Sequence, residues 1–385
     1  MTPHALFNSK RIFGYFLVAL TLGLISMAVI GYQTGADGLW VGMILAMLPC
    51  PLYVALSLWL DRYEPEPPRL LVGAFVWGAA VAVFFALLIN SLVHIVVASF
   101  AGEAAGSEAG TVYSAPIVEE FVKGTALFIL YWWQKDEFDG IIDGIVYAGM
   151  IGLGFAMTEN ILYYGRAMQE GIDSSLGLFV LRGVVSPFAH PLFTGMTGIG
   201  LGWARLSDNP RVRRWAPLGG LLAAMTLHFV WNYSANLRNE LFVAAYLFVM
   251  VPALAAVLVL IYFSLKREHL IVRNHLLQDL ENGTISHEDY ESICTPSKRM
   301  RNGLKAFRRG GFRQFRAHRE YYNVATELAF HRWHVTRSIV TGDLAIEREA
   351  QHLGLLRELQ QIIDSGRTGE WAEMTVTQER ETEEV

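Results

Sequence analysis

An all-helical, polytopic membrane protein is what this sequence predicts: about eight transmembrane helices followed by a polar, mostly helical tail. Three observations carry that expectation. Hydrophobic residues make up 53% of the 385-residue chain and charged residues only 17%, against about 25% charged in a soluble domain. The deficit is uneven, since residues 12–265 hold long apolar runs while residues 266–385 hold 18 of the 31 Lys and Arg. Most of the remaining basic residues fall in alternate connectors, as the positive-inside rule requires of a chain that weaves through a bilayer.

The hydrocarbon core takes about 20 apolar residues to cross as a helix. Eight segments meet that length, roughly 12–31, 39–60, 70–99, 112–133, 141–164, 178–203, 217–236 and 241–265. The third is over-long, which predicts tilt or extension past the membrane. Lys10 and Arg11 precede the first run, but no A-x-A cleavage pattern follows it, so it reads as a retained anchor rather than a signal peptide. One set of connectors carries Lys10 and Arg11, then Arg62 and Arg69, then Lys135, then Arg205, Arg211, Arg213 and Arg214, then the basic tail. The opposite set carries only Arg166 and Arg238. Eight spans with both termini in the cytoplasm satisfy this asymmetry, and a bacterial cytoplasmic membrane is the expected location. Trp59, Trp132, Trp133, Tyr163, Tyr164 and Trp203 fall at span ends, where amphipathic rings prefer the headgroups. The two cysteines, Cys50 and Cys294, provide neither a disulfide framework nor a thiolate zinc site. The expected domains are a transmembrane unit over 1–265 and a tail over 266–385.

Ionisable groups inside spans are expensive and mark function by default. Span four carries Glu119, Glu120 and Lys123, span five Glu159 and Asn160, span six His190 between Pro187 and Pro191, and span seven His228 and Asn232. Counted from the span ends at ~1.5 Å per residue, they fall roughly 8–18 Å below the outer surface. Four helices thus bring costly side chains to one level, which scattered packing residues have no reason to do.

The chemistry of that set is hydrolysis. Adjacent carboxylates repel, which leaves a proton available for acid–base work. Two histidines and a glutamate from different helices can hold zinc and leave a position for water, with another carboxylate as base. This assigns Glu119 or Glu120 as general base, His190, His228 and Glu159 as holders of the metal or the water, and Asn232, one turn beyond His228, as an oxyanion donor. Asn90 and His94 in span three read as interfacial. Asp139 and Asp143 read as caps of span five. Gly198 and Gly202 read as permitting close helix packing. Pro187 and Pro191 read as a break in span six.

At these residues the sequence resembles the PrsW family of intramembrane metalloproteases, part of the wider group that includes the CAAX prenyl proteases and the bacteriocin-immunity proteases. The segments that carry the resemblance are Glu119-Glu120-Phe121-Val122-Lys123, the stretch Gly154-Phe155-Ala156-Met157-Thr158-Glu159-Asn160-Ile161-Leu162-Tyr163, then His190-Pro191-Leu192-Phe193-Thr194-Gly195, and His228-Phe229-Val230-Trp231-Asn232. In the prenyl-protease branch a His stands where this chain has Glu159. The resemblance implies proteolysis of a membrane-anchored substrate, in some members an anti-sigma factor cut on the extracytoplasmic side, with water activated by Zn2+ or by a glutamate–histidine pair without it. It implies essential roles for Glu119, Glu120 and His190.

Two other classes compete. A proton-coupled transporter also buries carboxylates and histidines near the midplane, but it predicts internal repeats, and the two halves show none. A non-catalytic signalling scaffold predicts no clustering at one depth. Within the tail, residues 298–319 carry nine Lys or Arg and no acid, interleaved with Leu304, Phe307, Phe312 and Phe315. This predicts binding to anionic lipid, and membrane tethering argues against nucleic acid as the partner. Residues 320–365 predict a helical hairpin broken at Gly342, with His331 and His334 on an ordinary amphipathic face, and the acidic last 20 residues predict disorder.

Overall fold

The computed structural model describes residues 9–135, 137–237, 239–337 and 341–368, and the predicted disorder of the last 20 residues falls outside them. It forms two compact units, one made of the chain up to Asp61 with Glu66–Tyr262, the other of Arg62–Pro65 with the chain from Phe263 onward. The described residues are helical, with no strand.

The first unit opens with α1 (Ser9–Met47), broken at Gly35, whose φ of 73° only glycine adopts without strain. Short α2 (Cys50–Leu60) and α3 (Pro68–Val76) begin at prolines, which fit the first helical turn because they lack the N–H that has no partner there. A wide turn over Trp77–Ala82 leads into α4 (Val83–Ala101), and Gly102 (φ 87°) ends it before α5 (Glu103–Glu108). The 70–99 segment is therefore one long interrupted helix. Next come α6 (Ala115–Trp133), α7 (Ile141–Ala167), α8 (Ile172–Phe179), α9 (Ala189–Leu206), α10 (Pro210–Ala235), α11 (Asn239–Ala245) and the start of α12 (Val251–His275).

Among the described residues, five helical stretches are long and apolar enough to cross a membrane: Phe13–Leu60, Pro68–Ala101, Ile141–Glu170, Ile172–Leu206 and Asn239–Glu281. This is a multi-pass membrane architecture. The predicted spans over 112–133 and 217–236 are the helices α6 and α10. Glu119, Glu120 and Lys123 on α6, and His228, Asn232 and three arginines on α10, make these two too polar to count by apolar length alone.

The central helix is α7, for 83% of its most apolar stretch is buried, against 33% or less in the other four. Its glycines bring neighbouring backbones very close. A Cβ on Gly198 would stand 2.0 Å from the Gly144 carbonyl oxygen, and one on Gly152 would stand 2.9 Å from the His190 carbonyl carbon. The small-residue reading of Gly198 thus holds, and Gly152 sets α9 against α7 at His190 itself. Asp143 accepts the backbone N–H groups of Asp139 (2.9 Å) and Gly140 (2.5 Å), so Asp143 closes the start of α7 and Gly140 is the capping position. Span six is interrupted between Val185 and Ala189, at Pro187, which leaves His190 in the first turn of α9.

Between α2 and α3, Asp61 is 5% and Glu66 6% exposed. Asp61 Oδ2 accepts the Glu66 N–H at 2.7 Å, and Glu66 Oε2 accepts the Tyr147 hydroxyl at 2.5 Å. Burial pushes the Asp61 carboxyl up from 3.8 to about 8. Burial first, then the Asp143 and Asp61 charges, pushes Glu66 well up also. A folded-state pKa raised above its unfolded value contributes stability that is complete below the unfolded pKa and is lost as pH rises through the folded one. Thermal stability of the detergent-solubilised protein should therefore fall as pH rises from about 4 toward about 8. Asp61→Asn keeps the accepting oxygen and should flatten that slope, and an unchanged slope would place the pH sensitivity elsewhere.

The second unit has its own core of Val272, Leu276, Ile293, Tyr321, Leu328 and Leu356, among others. It comprises the end of α12, α13 (Leu277–Glu281), α14 (His287–Cys294), α15 (Pro296–Thr336) and α16 (Asp343–Thr368). α15 breaks at Gly310–Gly311, and Gly342 (φ 72°) precedes α16, giving the hairpin. Arg332 ties it together by pairing with Asp279 and with Glu349. His331 donates to the Ala345 carbonyl and its ring stacks on His352, which is a packing role.

Candidate metal and catalytic site

Four helices of the first unit build the site. α6 contributes Glu119, Glu120 and Lys123, α7 contributes Glu159 and Asn160, α9 contributes His190 and Thr194, and α10 contributes His228 and Asn232. On α6 the spacing of three and four residues sets Lys123 beside both glutamates. Its ammonium lies 2.5 Å from Glu120 Oε1 and 3.9 Å from Glu119 Oε2. These side chains are out of solvent: Glu120 and Lys123 are fully buried, His228 is 1% exposed, Glu119 5% and His190 7%.

Each carboxylate has its own role in the network. Glu120 is fully engaged. Its Oε1 takes Lys123 and the His228 Nδ1–H (2.9 Å), and its Oε2 takes the Thr194 hydroxyl (3.0 Å). Glu159 Oε2 takes the His190 Nε2–H at 2.9 Å and a guanidinium N–H of Arg182. Glu119 differs: its Oε1 is 3.4 Å from the Asn90 amide, and its buried Oε2 accepts no hydrogen bond.

The histidine tautomers follow from these partners, because a carboxylate only accepts and an ammonium only donates. His228 carries its proton on Nδ1 toward Glu120, which leaves Nε2 with a lone pair 3.8 Å from Glu119 Oε2. His190 carries its proton on Nε2 toward Glu159, which leaves Nδ1 as an acceptor, 3.2 Å from Lys123 Nζ. Donor atoms of Glu119, His190 and His228 all lie within 4.8 Å of one another. Two neutral imidazoles and a carboxylate, each imidazole backed on its far nitrogen by a carboxylate, form a donor set of the kind that holds zinc. The orphaned Glu119 oxygen fits that use, since a buried lone pair without a partner is costly. A cation on His190 Nδ1 requires the Lys123 ammonium to withdraw toward Glu120, which already holds it.

Glu119, Glu159, Asn90 and Asn232 share the lining of a cavity of about 430 Å3, together with Phe155, Tyr163 and Arg166. Asn232 lies on its wall and donates one amide N–H to the Thr111 carbonyl at 2.8 Å, keeping a second N–H. Asn90, read from sequence as interfacial, instead reaches Glu119 and is itself held by the Ser114 hydroxyl (2.8 Å). His94 does pair at an exposed position, with Glu103. Arg182, overlooked in the sequence, is a strong ionisable group inside a span, so the rule that marked the glutamates also marks it.

A model of the PrsW family intramembrane metalloproteases matches residues 66–257, a range that contains every residue of the site. The chain is 31% identical over 176 residues to "Protease PrsW" of Geobacillus kaustophilus, covering 45% of this chain and 70% of that protein. It is 32% identical over 169 residues to "Protease PrsW" of Oceanobacillus iheyensis (44% and 71%), and 28% identical over 173 residues to that of Bacillus subtilis (45% and 72%). No solved structure matches. With its polar cluster set among apolar spans and these relatives covered over more than two thirds of their length, the chain belongs to the PrsW family and is an intramembrane metalloprotease.

Proposed function

We propose that this protease hydrolyses a peptide bond of a membrane-anchored protein, an anti-sigma factor or similar regulator, with Glu119 as general base. The carrying observation is that Glu119 alone of the three carboxylates has a buried oxygen free of hydrogen bonds, beside two histidines whose facing nitrogens are lone pairs. His190 and His228 would hold Zn2+ beside the Glu119 carboxylate, and the ion when bound polarises water and the substrate carbonyl. This keeps Glu119 for the base, and it gives Glu159 the task of orienting His190. Water enters from the 430 Å3 cavity. Glu119 takes its proton as the oxygen attacks the carbonyl, and returns that proton to the leaving amine as the C–N bond breaks. The second N–H of Asn232 serves the oxyanion. Glu120 holds His228 and the lysine and does not itself meet the substrate.

The topology that suits this chemistry has eight spans, both termini in the cytoplasm, and the cluster in the outer half of the bilayer. The exposed side chains of Met300, Leu304, Phe307 and Phe312 on α15 stand among Arg301, Lys305, Arg308, Arg309 and Arg313, and this surface would rest on anionic lipid in the cytoplasmic leaflet.

The test is cleavage of a single-span reporter by the full chain in nanodiscs. His190→Ala and His228→Ala should each abolish product while the protein stays folded. Undiminished cleavage by either variant would remove that histidine from the mechanism.

A further inference from the structure

Arg182 lies in the wide turn that precedes α9, 16% exposed at its side chain, in the interior of a span where an arginine is costly. Its guanidinium makes three directed contacts. Nε donates to Asn160 Oδ1 at 2.7 Å, Nη2 donates to Glu159 Oε2, and the plane lies 4.1 Å over the Tyr163 ring. The fork thus reads two adjacent residues of α7 at once, which a lysine cannot do. The carboxylate oxygen it grips, Glu159 Oε2, is the one that accepts from His190 Nε2. Without a fixed Glu159, only the 3.2 Å contact of Lys123 Nζ with Nδ1 holds the proton on Nε2, and that ammonium is bound more closely to Glu120, at 2.5 Å.

We infer that Arg182 is a positioning residue that fixes the tautomer and ring orientation of His190 through Glu159, and so keeps His190 Nδ1 available to the Glu119 and His228 side of the site. His228 is set separately, by Glu120 on α6, so the two histidines answer to different partners. The effect on cleavage rests on the function proposed above. The effect on the ring does not.

The experiment is 15N NMR of histidine-labelled full chain in nanodiscs, with His190 assigned by His190→Gln. Wild type should show a single Nε2-protonated tautomer at His190. Arg182→Gln should mix the two tautomers there while leaving the His228 signals in place. Glu159→Gln should act in the same direction, and the double variant should add little, because both act along one path. Arg182→Lys, which keeps the charge but not the fork, should give a partial mixture, and it decides the matter if Arg182→Gln also loses the His228 signals and hence its fold. Wild-type His190 signals in both Arg182 variants, or in a folded Arg182→Gln alone, would overturn the inference. In the reporter assay, Arg182→Gln should lower kcat about ten- to a hundredfold with KM unchanged. A wild-type chain that cleaved nothing would count against the proposed function and leave the NMR result to judge Arg182.

Discussion

Glu119→Gln should reduce turnover of a single-span reporter by about 10³-fold, the range expected when a general base is lost, and leave folding nearly intact. The substitution is close to isosteric. It keeps an oxygen for the Asn90 amide, and it breaks no strong pair, because Oε2 of Glu119 accepts no hydrogen bond. What it removes is the one uncommitted carboxylate oxygen facing the two histidines. Glu120→Gln removes charge from a group that Lys123, His228 and Thr194 all contact, so its loss of activity should come with loss of stability. Measuring kcat and thermal unfolding side by side separates the two glutamates. If Glu119→Gln retained activity and Glu120→Gln lost it without destabilisation, the roles assigned here would be reversed.

Lys123→Met should be the most destabilising change in the site, at about 3–5 kcal/mol, the usual cost of removing one member of a buried ion pair. Glu120 would remain at 0% exposure with only His228 and Thr194 as partners. The contact of the ammonium with the Phe155 ring, 4.2 Å from its centroid, would also go. The double variant Glu120→Gln/Lys123→Met should recover much of that loss, because it removes the stranded charge as well. Denaturation of the detergent-solubilised protein checks both. A single variant within about 1 kcal/mol of wild type, the scale of an exposed pair, would mean that water reaches the pair.

The helical, multi-span class was legible because the bilayer imposes it: apolar length, basic asymmetry and aromatic span ends are all one-dimensional signals. That Glu119, Glu120, Glu159, His190 and His228 would meet was legible too, since each is costly in its span and their offsets from the span ends agree. Their division of labour was not. Which glutamate is engaged and which is free depends on partners far away in the chain, such as His228 and Thr194 for Glu120. No spacing on α6 reports that. Asn90 reads as interfacial from the sequence, because its span is over-long and nothing repeats near it, until α4 is laid against α6 and the turn before it, which brings Glu119 and Ser114 to the amide. Arg182 was legible and went unread, for its cost within a span is no smaller than that of the glutamates. Apolar length alone does not mark α6 and α10, because these helices, the richest in site residues, are polar on account of those residues.

Metal content is the most direct measure of whether Glu119, His190 and His228 form one metal-dependent catalytic centre. The full chain, purified in nanodiscs, should carry one zinc per chain and lose it with cleavage on chelation. It should regain both on addition of zinc, and it should bind none as His190→Ala/His228→Ala. Full cleavage by a chain stripped of metal, or undiminished zinc in the double variant, would contradict the account.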